Sequence, residues 1–194
     1  MPTMPSSLPT WIAVAVLLFW AVGAYNRLVR LRGEANAAFG ELDAQLQRQV
    51  ELVDQLVGDE PESIFEGAQS SFWGGLQGAA SQLRASLASA RHRPLDPDRI
   101  AALGSAQRVL AVAWDRAERD DAHDLAGARL PETLTAQRGQ LTSLCIAAAD
   151  RFSTAVARYN EAIAQFPAVL LAVLFGFKPG LAMPAMPVPK GPAV

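Results

Sequence analysis

The stretch "WIAVAVLLFWAVGAYNRLVRLRG" (residues 11–33) changes character at Arg27, which is the first charged side chain of the protein. Together with the preceding "SLPT", the residues before Arg27 give about 19 uncharged positions. A helix of that length spans roughly 28 Å, which is close to the thickness of the hydrocarbon layer of a bilayer. We therefore predict that residues 1–26 form an N-terminal tail and a single transmembrane helix.

The charges that follow the apolar stretch predict its orientation. A cleaved signal peptide would carry positive charge before the apolar run, whereas residues 1–10 carry none. Here Arg27, Arg30 and Arg32 come after it, and Arg-rich flanks stay in the cytoplasm, where they can meet anionic headgroups. We expect a single-pass protein of the inner (cytoplasmic) membrane with its N-terminus outside. A buried core helix is the other interpretation.

Composition narrows the class of protein. The 194 residues are 51% hydrophobic and 7% aromatic, and 17 basic and 19 acidic residues leave a net charge of −2. A nucleic-acid-binding protein would normally carry a strong basic excess, so we expect no nucleic-acid partner. The single cysteine, Cys145, excludes an internal disulfide framework.

Apolar residues at steps of three and four predict that the first helix continues into the cytoplasm, because such residues share one helical face. They are Leu28, Leu31, Ala35, Ala38, Leu42, Leu46, Val50, Val53 and Val57. The segment "GDEPES" (58–63) should end this helix, since Gly58 suits a C-cap and Pro61 cannot continue the hydrogen-bond ladder.

Three further helices are predicted by the same spacing. The second carries Trp73, Leu76, Ala80, Leu83, Leu87 and Ala90; the third starts with Asp96 as N-cap and Pro97 in its first turn, and carries Ile100, Leu103, Ala106, Leu110 and Trp114. The last opens at "LPETL" (130–134) and carries a heptad seam: Leu141, Cys145, Ala148, Phe152, Ala155, Tyr159, Ala162 and Phe166.

The fold prediction is all-α: an N-terminal transmembrane helix that continues into a long antiparallel up-and-down four-helix bundle over residues 27–178. Pro167 should kink or end the last helix. The segment "AVLLAVLFGF" (168–177) either lies at the membrane interface, with Lys178 reaching phosphate, or packs onto the bundle core. The Pro-rich residues 179–194 are expected to be a disordered tail.

No pattern for catalysis or metal binding stands out. His92 and His123 have no second ligand at metal-binding spacing, and the acidic run "ERDDAHD" (118–124) reads as a solvated connector. Cys145 lies on the apolar seam, which predicts a core thiol rather than a nucleophile. We therefore predict no catalytic residue, no cofactor and no metal ligand.

Two segments resemble the LemA family. They are "YNRLVRLRGEANAAFGELDAQLQRQVELVDQLV" (25–57) and "RYNEAIAQFPAVLLAVLFGFKP" (158–179), whose shared motif residues are Tyr25, Asn26, Tyr159, Asn160, Phe166, Pro167, Phe175, Gly176 and Phe177. The sequence departs from the family at Asp54-Gln55, where a Pro-Asn is typical, and at Gln49, where a second basic residue is expected. The resemblance implies a bacterial, membrane-anchored helical bundle with no established enzymatic activity.

The expected function is that of a membrane-anchored helical scaffold or interaction module and not an enzyme. Its partners would be the lipid bilayer, one or more unknown proteins and, as a possible homo-oligomer, a second copy of the chain. The alternative is an enzyme or regulatory factor with a site of scattered polar residues on the bundle. It includes a role in membrane remodelling, as in the family's magnetosome-associated relatives.

Overall fold

The computed structural model of the chain describes residues 8–58, 68–123 and 132–186, and every regular element within these ranges is a helix. In chain order the helices are α1 (Leu8–Gly58), α2 (Ala68–His92), α3 (Pro97–His123), α4 (Glu132–Ala164) and α5 (Ala168–Phe175). The all-α prediction is confirmed. Helix α1 runs without a break through Arg27 for 51 residues, as its pattern predicts.

Several predictions fall outside the described residues and stay predictions. They concern the tail before Leu8, the role of Pro61 in ending the first helix, the helix start at Pro131 and the tail beyond residue 186. The side chains of Trp73 and of the acidic run "ERDDAHD" (118–124), which includes His123, also lie outside what is described.

The second half of α1 buries the stripe that its sequence predicts. Helical residues three and four apart face one side, and on this side the apolar side chains of the stripe from Leu28 to Val53 are buried, with Ala38 partly so. Phe39, which lies beside the stripe, is buried as well and packs edge-on against Phe152 of α4, with ring centroids 5.7 Å apart. This half of α1 is therefore covered by protein.

Helices α1 and α4 run in opposite directions along each other. Phe39 meets Phe152 in the middle of the pair, while Arg27 donates to Gln165 near its end, 3.4 Å between Nη1 and Oε1. Residue numbers thus rise along α1 and fall along α4. Glu41 and Arg151 add an exposed ion pair of 2.7 Å, which contributes at most about 1 kcal/mol at the surface.

Helix α2 also runs opposite to α1. Arg91 lies beside Asp43, 2.7 Å between Nε and Oδ1, and Arg84 lies beside Asp54, 2.5 Å between Nη2 and Oδ2. Leu76, Ala80, Leu83, Leu87 and Ala90, the predicted stripe of α2 within the described side chains, are buried.

Helix α3 starts where the sequence predicts. The Oδ1 atom of Asp96 accepts from the backbone N–H groups of Asp98 and Arg99 at 3.2 and 3.3 Å, so it satisfies donors that the first turn leaves unpaired. Pro97 occupies the first helical position, where a missing N–H costs nothing. All five residues of the predicted stripe, Ile100, Leu103, Ala106, Leu110 and Trp114, are buried.

The predicted heptad seam of α4 is buried at most of its positions, partly buried at Leu141 and Ala155, and exposed at Phe166. Val156, which the seam does not include, is fully buried beside Ala155. Val156 follows Cys145 by about three full turns, and a straight helix drifts about 20° per heptad toward such positions. Phe166 is 78% exposed, because α4 ends at Ala164 before the seam reaches it.

The chain after α5 corrects the predicted tail. We call residues 177–186 the C-terminal strap. Asn160 Nδ2 donates to the Gly180 carbonyl at 2.8 Å, and the Gly180 N–H donates back to Asn160 Oδ1 at 2.9 Å. The Met183 N–H donates to Ser153 Oγ at 3.2 Å, and the Met183 side chain is buried. Disorder from residue 179 is therefore wrong for residues 179–186, since side chains of α4 hold this backbone.

The buried apolar residues form a main cluster and a smaller one, which we call the basal cluster. The main cluster extends from Ala35 to Val53 of α1 and includes the stripes of α2, α3 and α4. The basal cluster lies where α1 meets the end of α4 and the start of α5, and consists of Leu28, Leu31, Tyr159, Ala162, Ile163, Ala168 and Ala172. The basal cluster joins α1 to α4 and α5, and it positions the site described next.

Candidate functional site

The three arginines after the apolar stretch are all exposed, but each has a different neighbour. Arg30 Nε lies 3.6 Å from the Glu34 carboxylate, one turn further along α1. The Arg32 guanidinium lies over the ring of Phe177, 6.0 Å from its centroid. Arg27 donates a hydrogen bond to the side-chain oxygen of Gln165, which directly follows α4. The arginines therefore mark the level at which α1 meets the C-terminal part of the chain.

Tyr25 lies between the two phenylalanines of the Phe-Gly-Phe motif. Its ring centroid is 5.0 Å from that of Phe175 and 6.0 Å from that of Phe177. Gly176 ends α5 with φ +69° and ψ +30°, a left-handed conformation that costs glycine little. The backbone N–H of Phe177 then donates to the Ala172 carbonyl at 2.9 Å, as in a Schellman ending. Gly176 thus turns the chain after Phe175, so that Phe177 reaches Tyr25 as well.

Phe166 and Pro167 form the corner between α4 and α5. Pro167 is the N-cap residue of α5, and Phe166 extends outward to the apolar half of α1. There it lies beside Trp20, with ring centroids 6.0 Å apart. The prediction that Pro167 interrupts the last helix is confirmed, since α5 begins at the next residue.

Tyr159 and Asn160 hold the strap rather than reaching away from the fold. Tyr159 Oη donates to the Lys178 carbonyl at 3.0 Å, and Asn160 makes the paired bonds to Gly180. Burial raises the pKa of Tyr159, and the nearby charge of Arg32 opposes that shift. The Tyr25–Asn26 pair lies at the same end of the molecule, as the sequence predicts, but both of its side chains are exposed.

Helix α5 packs with its small residues inward and its large residues outward. Ala168 and Ala172 are buried against α1 and α4, one turn apart. The outer face keeps Val169, Leu170, Val173, Leu174 and Phe175 exposed, with Val173 82% exposed. A helix that only packs on a core does the reverse, because burying large apolar side chains is what stabilises it.

The first half of α1 is equally uncovered. Its exposed large apolar side chains are Trp11, Ile12, Val14, Val16, Leu17, Leu18, Phe19, Trp20 and Val22. Among the described helices, α1 is the one that is long and apolar enough to cross a membrane, and 6% of its most apolar 18-residue window is buried. Such a continuous apolar surface is rare on a protein that is surrounded only by water.

Sequence patterns missed a buried polar cluster at the opposite end, which consists of Gln49, Gln107, Arg138 and Thr142. Gln107 Nε2 donates to Gln49 Oε1 at 2.8 Å, and Arg138 Nη2 lies 3.0 Å from Asp115 Oδ1. The guanidinium of Arg138 also lies over the Trp114 ring, 5.3 Å from the centroid. The sequence spacing could have revealed the burial of Arg138: this residue lies three positions before Leu141 and therefore continues the heptad seam toward the start of α4.

A cavity of about 20 Å³ lies within this polar cluster. Gln107 Oε1 is buried without a hydrogen-bond partner there. The space suits one water molecule. Substrate pockets are typically about 300–1,000 Å³, so this cavity has no room for a substrate.

The residues that could take part in catalysis or metal binding do not come together in a site. Cys145 is fully buried, and desolvation raises its pKa to about 12, so the thiol is neutral and shielded. His92 is exposed at the end of α2. Within residues 8–58, 68–123 and 132–186, no three His, Cys, Asp or Glu side chains come together in a way that could hold a metal ion.

Both departures from the LemA pattern make contacts between helices. Asp54 pairs with Arg84 of α2, and Gln49 accepts the buried hydrogen bond from Gln107 of α3. Comparisons with protein-family models, with curated proteins and with solved structures found no match to the chain. The resemblance to the LemA family stays a prediction from the two end segments.

Proposed function

We propose that this chain is a LemA-like, single-pass protein of the bacterial inner membrane, with its N-terminus outside and its helical domain in the cytoplasm. Its function would be that of a membrane-anchored scaffold or interaction module, without catalytic activity. One observation carries this proposal: α1 is exposed and apolar on all sides before Arg27, yet packed along one stripe after it. A buried core helix would be covered by protein along its whole length, so this exposure argues against interpreting the apolar stretch as a core helix.

The proposed architecture is an antiparallel up-and-down four-helix bundle of the LemA type. The opposite directions of α1 and α2, and of α1 and α4, support it. The meeting of the motif residues also supports the LemA assignment: Tyr25 from the first segment contacts Phe175 and Phe177 from the last. This contact would explain why the two motif segments, which are far apart in the sequence, occur in the same protein.

The outer face of α5 would contribute a second contact with the bilayer. Its large side chains are exposed at the level of Tyr25 and Arg27, where the charge-free part of α1 ends. Eight helical residues are too few to cross a bilayer but suit burial at its interface. Lys178 follows directly and is exposed, so its ammonium group could reach a phosphate. The occupant of this face would be lipid.

Reporter fusions test the orientation. A fluorescent protein that matures only in the cytoplasm and a phosphatase that works only outside it would be fused separately to Val194. We expect fluorescence without phosphatase activity. Replacing Arg27, Arg30 and Arg32 together by Gln should weaken that preference, because positive flanks set topology. An active phosphatase and a dark fluorophore on the wild-type chain would contradict the proposal.

A second experiment separates a scaffold from an enzyme. The tagged chain would be isolated from cross-linked membranes, with the Leu18→Asp variant as a control that keeps the helical domain but weakens the anchor. In parallel, the purified chain would be heated with panels of metals and metabolites. The scaffold proposal expects specific membrane partners and no shift in melting temperature. A reproducible shift with one metabolite, and no enriched partner, would favour the enzyme.

A further inference from the structure

An open groove of about 730 Å³ lies between α1 and the corner that joins α4 to α5. On α1 the groove runs from Val16 past Trp20 and Gly23 to Arg27; these residues are three or four apart and therefore share one face. Gln165 and Phe166 line the opposite side. The groove is thus apolar along most of its length and polar at one end.

Two features define the shape of the groove. The rings of Trp20 and Phe166 stand 6.0 Å apart at its side. Gly23 contributes no side chain to its floor, and a Cβ atom placed there would meet nothing within 4 Å. A residue larger than glycine would extend into this space, so Gly23 is where the groove can be filled without disturbing a packed neighbour.

Arg27 supplies a positive charge at the polar end. Its Nη1 atom donates to the neutral side chain of Gln165 at 3.4 Å. In the described part of the chain, no carboxylate lies within ion-pair distance of Arg27, whereas Arg30 has Glu34 beside it. An anionic group at the mouth of the groove would therefore neutralise Arg27 and form a charge-assisted hydrogen bond with it.

The length of the groove matches one leaflet of a bilayer. Val16 and Arg27 lie roughly 16 Å apart along the helix axis, at about 1.5 Å per residue. Half of a hydrocarbon layer of about 30 Å is close to that distance. With Arg27 at the headgroup level, the apolar part of the groove extends to the middle of the bilayer.

We propose that the groove binds one phospholipid, with an acyl chain along α1 over Gly23 and the phosphate on Arg27. This inference rests on the proposed membrane anchor. The bound lipid fills the space between α1 and Phe166 and links the anchor to the last helix. Charge complementarity at Arg27 selects an anionic amphiphile over a neutral apolar molecule or the helix of a second copy, because neither of these supplies an anion for a charge-assisted hydrogen bond with the guanidinium.

The experiment uses the full chain reconstituted in bilayers of phosphatidylcholine and phosphatidylglycerol, extracted in a mild detergent and analysed by native mass spectrometry. Gly23→Leu fills the groove. Gly33→Leu is the matched control, because Gly33 lies on the same helix, is exposed, and its added Cβ also meets nothing within 4 Å. Arg27→Gln removes the anion partner and leaves the groove open.

We expect one retained phospholipid on the wild-type chain and on Gly33→Leu, and none on Gly23→Leu. Arg27→Gln should lower the retained fraction about tenfold, the effect of losing one charge-assisted hydrogen bond. Equal retention on Gly23→Leu and the wild type, no retention on either, or a dimer without lipid would overturn the inference while the anchor stands. If alkaline carbonate releases the wild-type chain from membranes, the anchor fails and the lipid site fails with it.

Discussion

The two halves of α1 belong to one unbroken helix and have opposite surroundings. Before Arg27 the large apolar side chains point in all directions and stay exposed, with Phe19 at 81%. After it, most large apolar side chains keep to one stripe, which α2 and α4 bury, and charged residues occupy the other sides, where Val29 is also exposed. The angular distribution of apolar residues, more than their number, therefore decides whether a helix is covered by protein or by another apolar medium.

Helices α4 and α5 repeat the contrast at the other end of the chain. Helix α4 buries Phe152 and Tyr159 and exposes Arg158. Helix α5 buries two alanines and exposes its largest side chains. Phe166, at the corner before α5, contacts Trp20 of α1, and Phe175 of α5 contacts Tyr25 of α1, so in the proposed arrangement both uncovered surfaces would meet the same lipid.

The same substitution in each half of α1 tests the comparison most strongly. Leu42 is 0% exposed and Leu18 is 62% exposed. Leu42→Asp places an unpaired charge in the core and should destabilise the helical domain by about 4 kcal/mol or more. Leu18→Asp should leave domain stability within about 0.5 kcal/mol but weaken membrane insertion by about 3 kcal/mol.

Thermal unfolding followed by circular dichroism in detergent measures the first effect, and the membrane-bound fraction in cells measures the second. If Leu18→Asp unfolds the helical domain as strongly as Leu42→Asp does, both halves of α1 are protein core and the comparison fails.

Alkaline pH tests whether water is excluded from the core around Cys145 of α4, which belongs to the same main cluster as the covered half of α1. The folded pKa of Cys145 is raised from 9.0 to about 12 by burial. Because the unfolded thiol ionises first, the folded state loses stability as pH rises between these values, by about 1.4 kcal/mol per pH unit, and keeps its full stability below about pH 9. The stability of the wild type relative to Cys145→Ala should therefore fall at this slope. A difference that stays constant from pH 8 to 11 would mean that water reaches the seam.

The two Tyr-Asn pairs allow a smaller test at the end of the molecule where α1 meets α5. Asn160→Ala removes both hydrogen bonds to Gly180 and should free the strap, at a cost of about 1–2 kcal/mol. Asn26→Ala, at an exposed position, should cost less than about 0.5 kcal/mol. Hydrogen exchange at the Gly180 amide reports the difference. Unchanged protection in Asn160→Ala would show that the strap is held by other contacts.

Periodicity predicted most of the covered fold. Steps of three and four identify the buried side chains of α1, α2 and α3, and the Asp96-Pro97 pair identifies the start of α3. The pattern fails where a helix ends, since it cannot show that α4 stops before Phe166. It also misses that Val156 is more deeply buried than Ala155, because a helix with about 3.6 residues per turn drifts from a strict heptad.

The sequence selected the residues that meet at one end of the molecule but showed only part of their contacts. Resemblance selected Tyr25, Tyr159 and Asn160, and the fold brings them to one end. The partners of Tyr159 and Asn160 are backbone atoms of the strap, and a Pro-rich segment has no side-chain period that would reveal such bonds. The inward alanines of α5 were likewise not foreseeable, because its apolar residues surround the helix and leave no preferred face.

One measurement tests most directly whether the uncovered surfaces meet lipid. Nitroxide labels at Val173 of α5 and at Val109 of α3, which is 44% exposed, would be compared in vesicles, in a Cys145→Ala background. Collisions with oxygen report lipid, and collisions with a water-soluble nickel complex report water. We predict that oxygen relaxes the Val173 label more strongly and that nickel relaxes the Val109 label more strongly. A Val173 label as accessible to nickel as the Val109 label would contradict the account.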